Sequence, residues 1–194
     1  LMSVQLAMPA TRPATATRPA TASRPADEVT VYLGDGSEFD ARITASAGEN
    51  VELSTTTIPK LTLPLTRLAA IRFARDETSP AAKAFADALA HRDMTQDTLL
   101  LAQDNKVSTL KGLVESLDAR GGKFKWRERA IPIDRSRAFG IVLAAGAGTP
   151  PAPQVRCTVL DGSTWAGTIA GGTAKALKIE LTAGPAVEIG IDRI

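Results

Sequence analysis

The sequence has one cysteine, Cys157, one histidine, His91, and an aromatic content of only 4%. A lone cysteine excludes an internal disulfide, and a lone histidine cannot nucleate a His-rich metal centre. With so few rings, the core must be built mainly from Ala, Val, Ile and Leu. No run of about 18 apolar residues occurs, so no membrane-spanning helix is expected.

Charge of one sign is also lacking. The chain has 23 basic and 21 acidic residues, a net +2, and Arg12, Arg18 and Arg24 lie in a 26-residue stretch without an acid. Residues 27–194 therefore carry a net −1, and nothing global argues for nucleic acid as a partner. The length of 194 residues fits one ordinary domain or a few small ones.

The motifs of the common catalytic sites are missing too. There is no G-x-S-x-G, no P-loop, no H-E-x-x-H and no G-x-G-x-x-G fingerprint, and Pro151 stands where Gly146-Ala147-Gly148 would need a third glycine. Asp87 and His91 have helical i, i+4 spacing, either as an acid–base pair or as an exposed helix pair. Asp35 and Asp161 each stand in an Asp-Gly-Ser turn, one carboxylate against the roughly six to eight oxygens that calcium takes. No enzyme activity, cofactor or metal is expected.

What is present is a repeat. Residues 1–26 open on an apolar LMSVQLAMPA, compatible with the remnant of an export signal or with an arbitrary fragment start, and continue as a six-residue Thr/Pro/Ala/Arg period expected to form an extended spacer. From residue 27 a β unit is written three times. Val29, Val31 and Leu33 alternate up to Asp35-Gly36-Ser37, and Phe39, Ala41 and Ile43 resume the alternation. Val155, Cys157 and Val159 lead to Asp161-Gly162-Ser163, then Trp165, Gly167 and Ile169, every pair 126 positions apart. Period-two alternation about an Asp-Gly turn predicts a β-hairpin.

The middle copy is looser, with Leu99 to Leu101, a turn at Asp104-Asn105, then Leu110, Gly112 and Val114. A third strand is expected near 49–54, 122–128 and 175–182. The motif Leu63-Pro64-Leu65-Thr66-Arg67 aligns with Ile131-Pro132-Ile133-Asp134-Arg135 and with Ile189-Gly190-Ile191-Asp192-Arg193. Five short strands per unit predict an all-β chain of tandem small SH3/Sm-like barrels.

The expected organisation is a spacer over 1–26, unit 1 over 27–77, a linking helix within 78–96, unit 2 over 97–144, a Gly/Pro linker over 145–153 and unit 3 over 154–194. Ser79 and Pro80 read as the N-cap and first residue of that helix, about 80–92. Unit 3 ends where unit 1 continues into Ala69-Ala70-Ile71-Arg72-Phe73, so a longer natural chain with a further C-terminal module is expected.

Both tryptophans fall on inward positions, Trp165 with Phe39 and Trp126 near the place of Leu53 and Ile179. Tyr32 is the candidate exposed aromatic. Opposite Phe124 and Trp126, one strand face carries Lys123, Lys125, Arg127 and Arg129, a candidate polyanion site or an ordinary solvated face. Cys157 takes the place of Val31 and reads as a small buried hydrophobe or, alternatively, a reactive thiol.

Val29 to Ser54 resembles the first motif of Sm-like proteins, including Asn50 followed by Val51 and Leu53. The RNA-contacting positions of that family hold Ser46 and Leu65-Thr66-Arg67-Leu68 here, so the likeness extends to the barrel and not to the RNA site. The Asp-Gly-Ser turns, the small residues Ala41, Gly112 and Gly167, and the closing motif are similar to small barrel repeats of exported bacterial proteins that often accompany an NPCBM-type carbohydrate-binding module. That resemblance implies a secreted, periplasmic or cell-surface scaffold whose partner is a glycan or another surface protein.

Overall fold

The computed structural model describes residues 4–6, 27–47, 49–74, 76–103, 106–146, 152–182 and 184–194. The spacer over 11–26, the Asp104-Asn105 turn and residues 147–151 of the linker lie outside the described residues. β1 is Val4–Leu6. Unit 1 supplies β2 (Glu28–Leu33), β3 (Glu38–Ala47), β4 (Asn50–Ser54), β5 (Leu61–Pro64) and β6 (Leu68–Arg72). Helix α1 (Pro80–Ala90) follows, then β7 (Asp97–Gln103), β8 (Lys106–Asp118), β9 (Gly121–Trp126), β10 (Arg129–Asp134) and β11 (Ala138–Val142) of unit 2. Unit 3 contributes β12 (Val155–Thr158), β13 (Thr164–Gly172), β14 (Ala176–Leu181) and β15 (Ala186–Gly190).

The alternation translates directly into burial. Val29, Val31 and Leu33 on β2 and Phe39, Ala41 and Ile43 on β3 are all buried, and the turn between them puts Gly36 at φ +86°. Gly162 repeats that angle, and in each turn the aspartate accepts the serine N–H at 2.8 Å, from Ser37 to Asp35 and from Ser163 to Asp161. The small residue further along is enforced by close backbone approach. A Cβ on Gly112 would collide with the carbonyl of Lys125, and one on Gly167 with that of Glu180.

The chain is mainly β, with every ladder antiparallel and one α-helix among the described residues. Its strands join in the order β1-β12-β13-β3-β2-β6-β11-β7-β8-β9-β10, with β4-β5 branching from β3 and β14-β15 from β13. The sheet is not closed, so the expectation of tandem barrels holds only as far as a mainly β, antiparallel architecture. Equivalent strands meet where units join. β6 pairs with β11 through Ile71 opposite Ile141, which hold the same place in their units because they face Val31 and Leu99 respectively. At the other junction Glu38 on β3 faces its repeat counterpart Thr164 on β13.

One hydrophobic cluster contains residues of all three units, including Phe39, Leu99 and Trp165. A second lies under α1, where Phe85 and Ala81 pack with Ala70 of unit 1 and Leu100, Phe139 and Val142 of unit 2. The helix thus covers the seam between units 1 and 2. Its start is as expected, with the Ser79 hydroxyl accepting the Ala82 N–H at 3.2 Å and Pro80 at N1, where its missing N–H costs nothing.

The middle copy departs from its expected alignment. Leu63 faces Val51 and Leu61 faces Leu53, whereas Ile133 faces Gly122 and Ile131 faces Phe124. With Ile43 facing Leu53 and Val114 facing Phe124, the structural counterpart of Leu63 is Ile133 and that of Leu53 is Phe124. The closing motif of unit 2 is therefore aligned two residues too early by sequence. Gly34 N–H donates to Arg67 carbonyl, Leu160 to Arg193 and Ala102 to Arg137, which places Arg137 and not Arg135 with the other two arginines.

Candidate functional site

The four basic residues expected on one strand face are divided by a tight turn. β9 ends at Trp126, Arg127 and Glu128 adopt positive φ of 48° and 60°, and β10 begins at Arg129 directly opposite Trp126. Lys123 faces Pro132 and Lys125 faces Ala130, so these two share one face of the hairpin. Arg129, across from Trp126, falls on the other face, the one that also holds Phe124 and Ile131. Arg127 sits in the turn with its guanidinium 4.9 Å from the Trp126 ring centre, a contact worth about 0.5–1 kcal/mol at an exposed site. Lys125 lies 4.0 Å from Glu128, which offsets part of its charge. Lys123 and Lys125 thus lie on one face, while Arg127, over its ring, and Arg129, directly across, lie with the half-buried Trp126 at the end of the hairpin.

Tyr32, the expected exposed aromatic, is half-buried. Its outward face on β2 is the face that α1 covers, and its ring lies 5.7 Å from that of Phe85. Burial, with Glu38 beside it, holds its phenol well above the ordinary range. Trp165 is inward and fully buried, stacked on Phe39 at 4.4 Å with the rings 15° apart. Its indole N–H has no partner among the described residues. Cys157 is buried, and burial raises its thiol. His91 caps the end of α1, its ring Nδ1 3.0 Å from the carbonyl of Asp87.

Comparison with known protein families, curated proteins and solved structures finds no significant match. Function must therefore be read from the geometry of the chain itself.

Among the described residues, a cluster of hydrogen bonds made by side chains lies where unit 3 meets unit 1. The Asp161 carboxylate accepts hydrogen bonds from the hydroxyls of Thr56 at 2.9 Å and Thr57 at 3.4 Å, besides its own turn amide. Burial pushes this carboxyl up, and the hydrogen bonds from Ser163, Thr56 and Thr57 together outweigh it, so it sits below the usual carboxylate range. Arg193 donates to the Thr56 carbonyl at 3.1 Å, and Arg156 to the Gly36 carbonyl at 3.0 Å. The Ser37 hydroxyl accepts from the Ala166 N–H at 2.9 Å. A cleft of about 220 Å³ lies here, lined by Thr56, Asp161, Leu160 and Arg193. Sequence reasoning assigned the Asp-Gly-Ser turns to local structure and missed this second use; the signal available was the pairing of two identical turns with a Thr55-Thr56-Thr57 run.

A second cleft, about 270 Å³, lies at the start of α1 beside Asp76, Lys106 and Phe139. Asp76 is committed to Thr78 and Ser79, accepting their N–H groups at 2.9 and 3.2 Å.

Proposed function

We propose that the chain is a non-catalytic interaction platform of an exported protein, built from tandem SH3/Sm-like units, whose partner is a glycan or another surface protein. Supporting it is the continuity of sheet and core across all three units, with Phe39 stacked on Trp165 and Ile71 opposite Ile141. Beads on a string need neither contact. A rigid array holds its surfaces at fixed spacing, which suits a scaffold. The glycan and export parts of the reading rest on the resemblance to barrel repeats that accompany carbohydrate-binding modules. A glycan array probed with this chain, together with fractionation of the source cells, tests it. Glycan binding by an exported protein is expected, whereas a cytosolic protein that binds no glycan defeats the reading.

A second reading is a polyanion or RNA binder that uses the β9–β10 hairpin. Arg127 held over Trp126, with Lys123 and Lys125 along the other face of the same hairpin, combines cation and ring as a single-strand binder does. Replacing Lys123, Lys125 and Arg127 by Gln should flatten the dependence of heparin or RNA affinity on salt by about two to three in the logarithmic slope. An unchanged slope, or no binding at low salt, removes this reading.

A further inference from the structure

In units 1 and 2 the first strand lies between two neighbours. Val31 on β2 faces Phe39 of the hairpin on one side and Ile71 of the fifth strand on the other. Leu99 on β7 faces Leu110 and Ile141 in the same way. The described residues of 154–194 form four strands, β12 to β15, and Cys157, the counterpart of Val31, faces Trp165 on its hairpin side. On its other side stands Val4 of β1.

The substitution keeps register as well as place. Thr30 faces Arg72 as Arg156 faces Gln5, and both pairings are antiparallel. Val4-Gln5-Leu6 therefore takes the positions of Ile71-Arg72-Phe73, apolar, polar, apolar in both cases. The 20 residues 7–26 span up to about 66 Å when extended, more than the diameter on the order of 40 Å of a folded chain of this size. The segment can thus reach β12 of its own chain.

We propose that the β12 edge of unit 3 is a strand-acceptor site, and that the chain's own Val4–Leu6 is the strand that fills it. The site takes an extended antiparallel segment with apolar residues at alternate positions. Main-chain hydrogen bonds hold such a strand. Val4–Leu6 gives β12 a second neighbour, so that the edge does not template association with another chain. The contact is short, three residue pairs against four in each of the β2–β6 and β7–β11 ladders, so the strand is exchangeable. Val4–Leu6 thereby acquires a structural role of its own.

The natural Cys157 provides the test, because directly opposed residues of antiparallel strands lie about 4.5–5.5 Å apart at Cα, within disulfide reach. In the full chain, Val4→Cys under mild oxidation should form a disulfide between the introduced thiol and Cys157 within the monomer, read by mass spectrometry of the linked peptides. Gln5→Cys, one step out of register, should bridge at least tenfold less. Free thiols in both variants, equal bridging by both, or bridging only in a dimer each overturn the proposal, the last by assigning the strand to a second copy. As an arm that needs no cysteine, Val4→Glu should speed amide exchange at Val155–Thr158 by at least tenfold while leaving Thr98–Leu101 of β7 unchanged. Unchanged exchange at β12 also overturns it.

Discussion

Tyr32 shows how one residue is governed by a neighbour that its own strand does not announce. Alternation on β2 puts it opposite Val31 and Leu33, on the face away from the main core, and a free aromatic is the natural expectation. That face is the underside of α1, and the ring ends between the sheet and Phe85. Burial penalises the phenolate, so the folded pKa lies above the unfolded value of about 10. The folded state therefore holds its proton longer, and the stabilisation is complete below about pH 10 and is lost as pH rises toward the folded value. Because Tyr32 is the only tyrosine of the chain, a tyrosinate absorbance titration reads it alone. We expect a native midpoint above 10 and, in Tyr32→Phe, a thermal midpoint less sensitive to alkali than in the natural chain. An ordinary midpoint would mean that α1 does not cover the ring.

At the scale of elements, the hairpin β9–β10 is where the sequence is least suited to its backbone. A two-residue turn with both φ positive favours Asn-Gly, and here it holds Arg127 and Glu128 at 48° and 60°. Left-handed non-glycine residues cost roughly 1–3 kcal/mol each. Replacing the pair by Asn-Gly should raise stability by about 1–2 kcal/mol, measured as the shift of the urea midpoint at constant slope. A neutral or destabilising result would show that the Arg127–Trp126 contact and the Lys125–Glu128 pair outweigh the strain. This turn also explains why the middle copy was only partly legible. A slip of two residues leaves every strand residue on its correct face, so the apolar pattern is satisfied equally by Ile131 or Ile133 as the counterpart of Leu63. Cross-strand partners decide between them. The hairpins of units 1 and 3 were legible because Asp-Gly-Ser fixes their register, and α1 was legible because Ser79-Pro80 is a start signal that needs no tertiary context.

For the whole molecule, what the repeat pattern could not show is how its copies meet. Each unit is encoded locally, whereas the joins pair a residue with its own counterpart: Ile71 with Ile141, Glu38 with Thr164, Phe39 with Trp165. Sequence periodicity identifies counterparts and says nothing of their contact. The consequence is energetic. Truncating Trp165 to Ala removes a fully buried ring and its stack, a loss of about 3–5 kcal/mol. Phe39 of unit 1 loses its partner at the same time, so the damage is shared between units. A continuous sheet with a common core should therefore unfold as one body rather than unit by unit. The two tryptophans are placed to report this, Trp126 in unit 2 and Trp165 at the junction of units 1 and 3. In Trp126→Phe and Trp165→Phe, the remaining indole should give a fluorescence transition in urea that coincides with the circular dichroism transition of the same variant. Separation of the two curves in either variant would mean that the junctions are weaker than the units they join, and that the units fold independently.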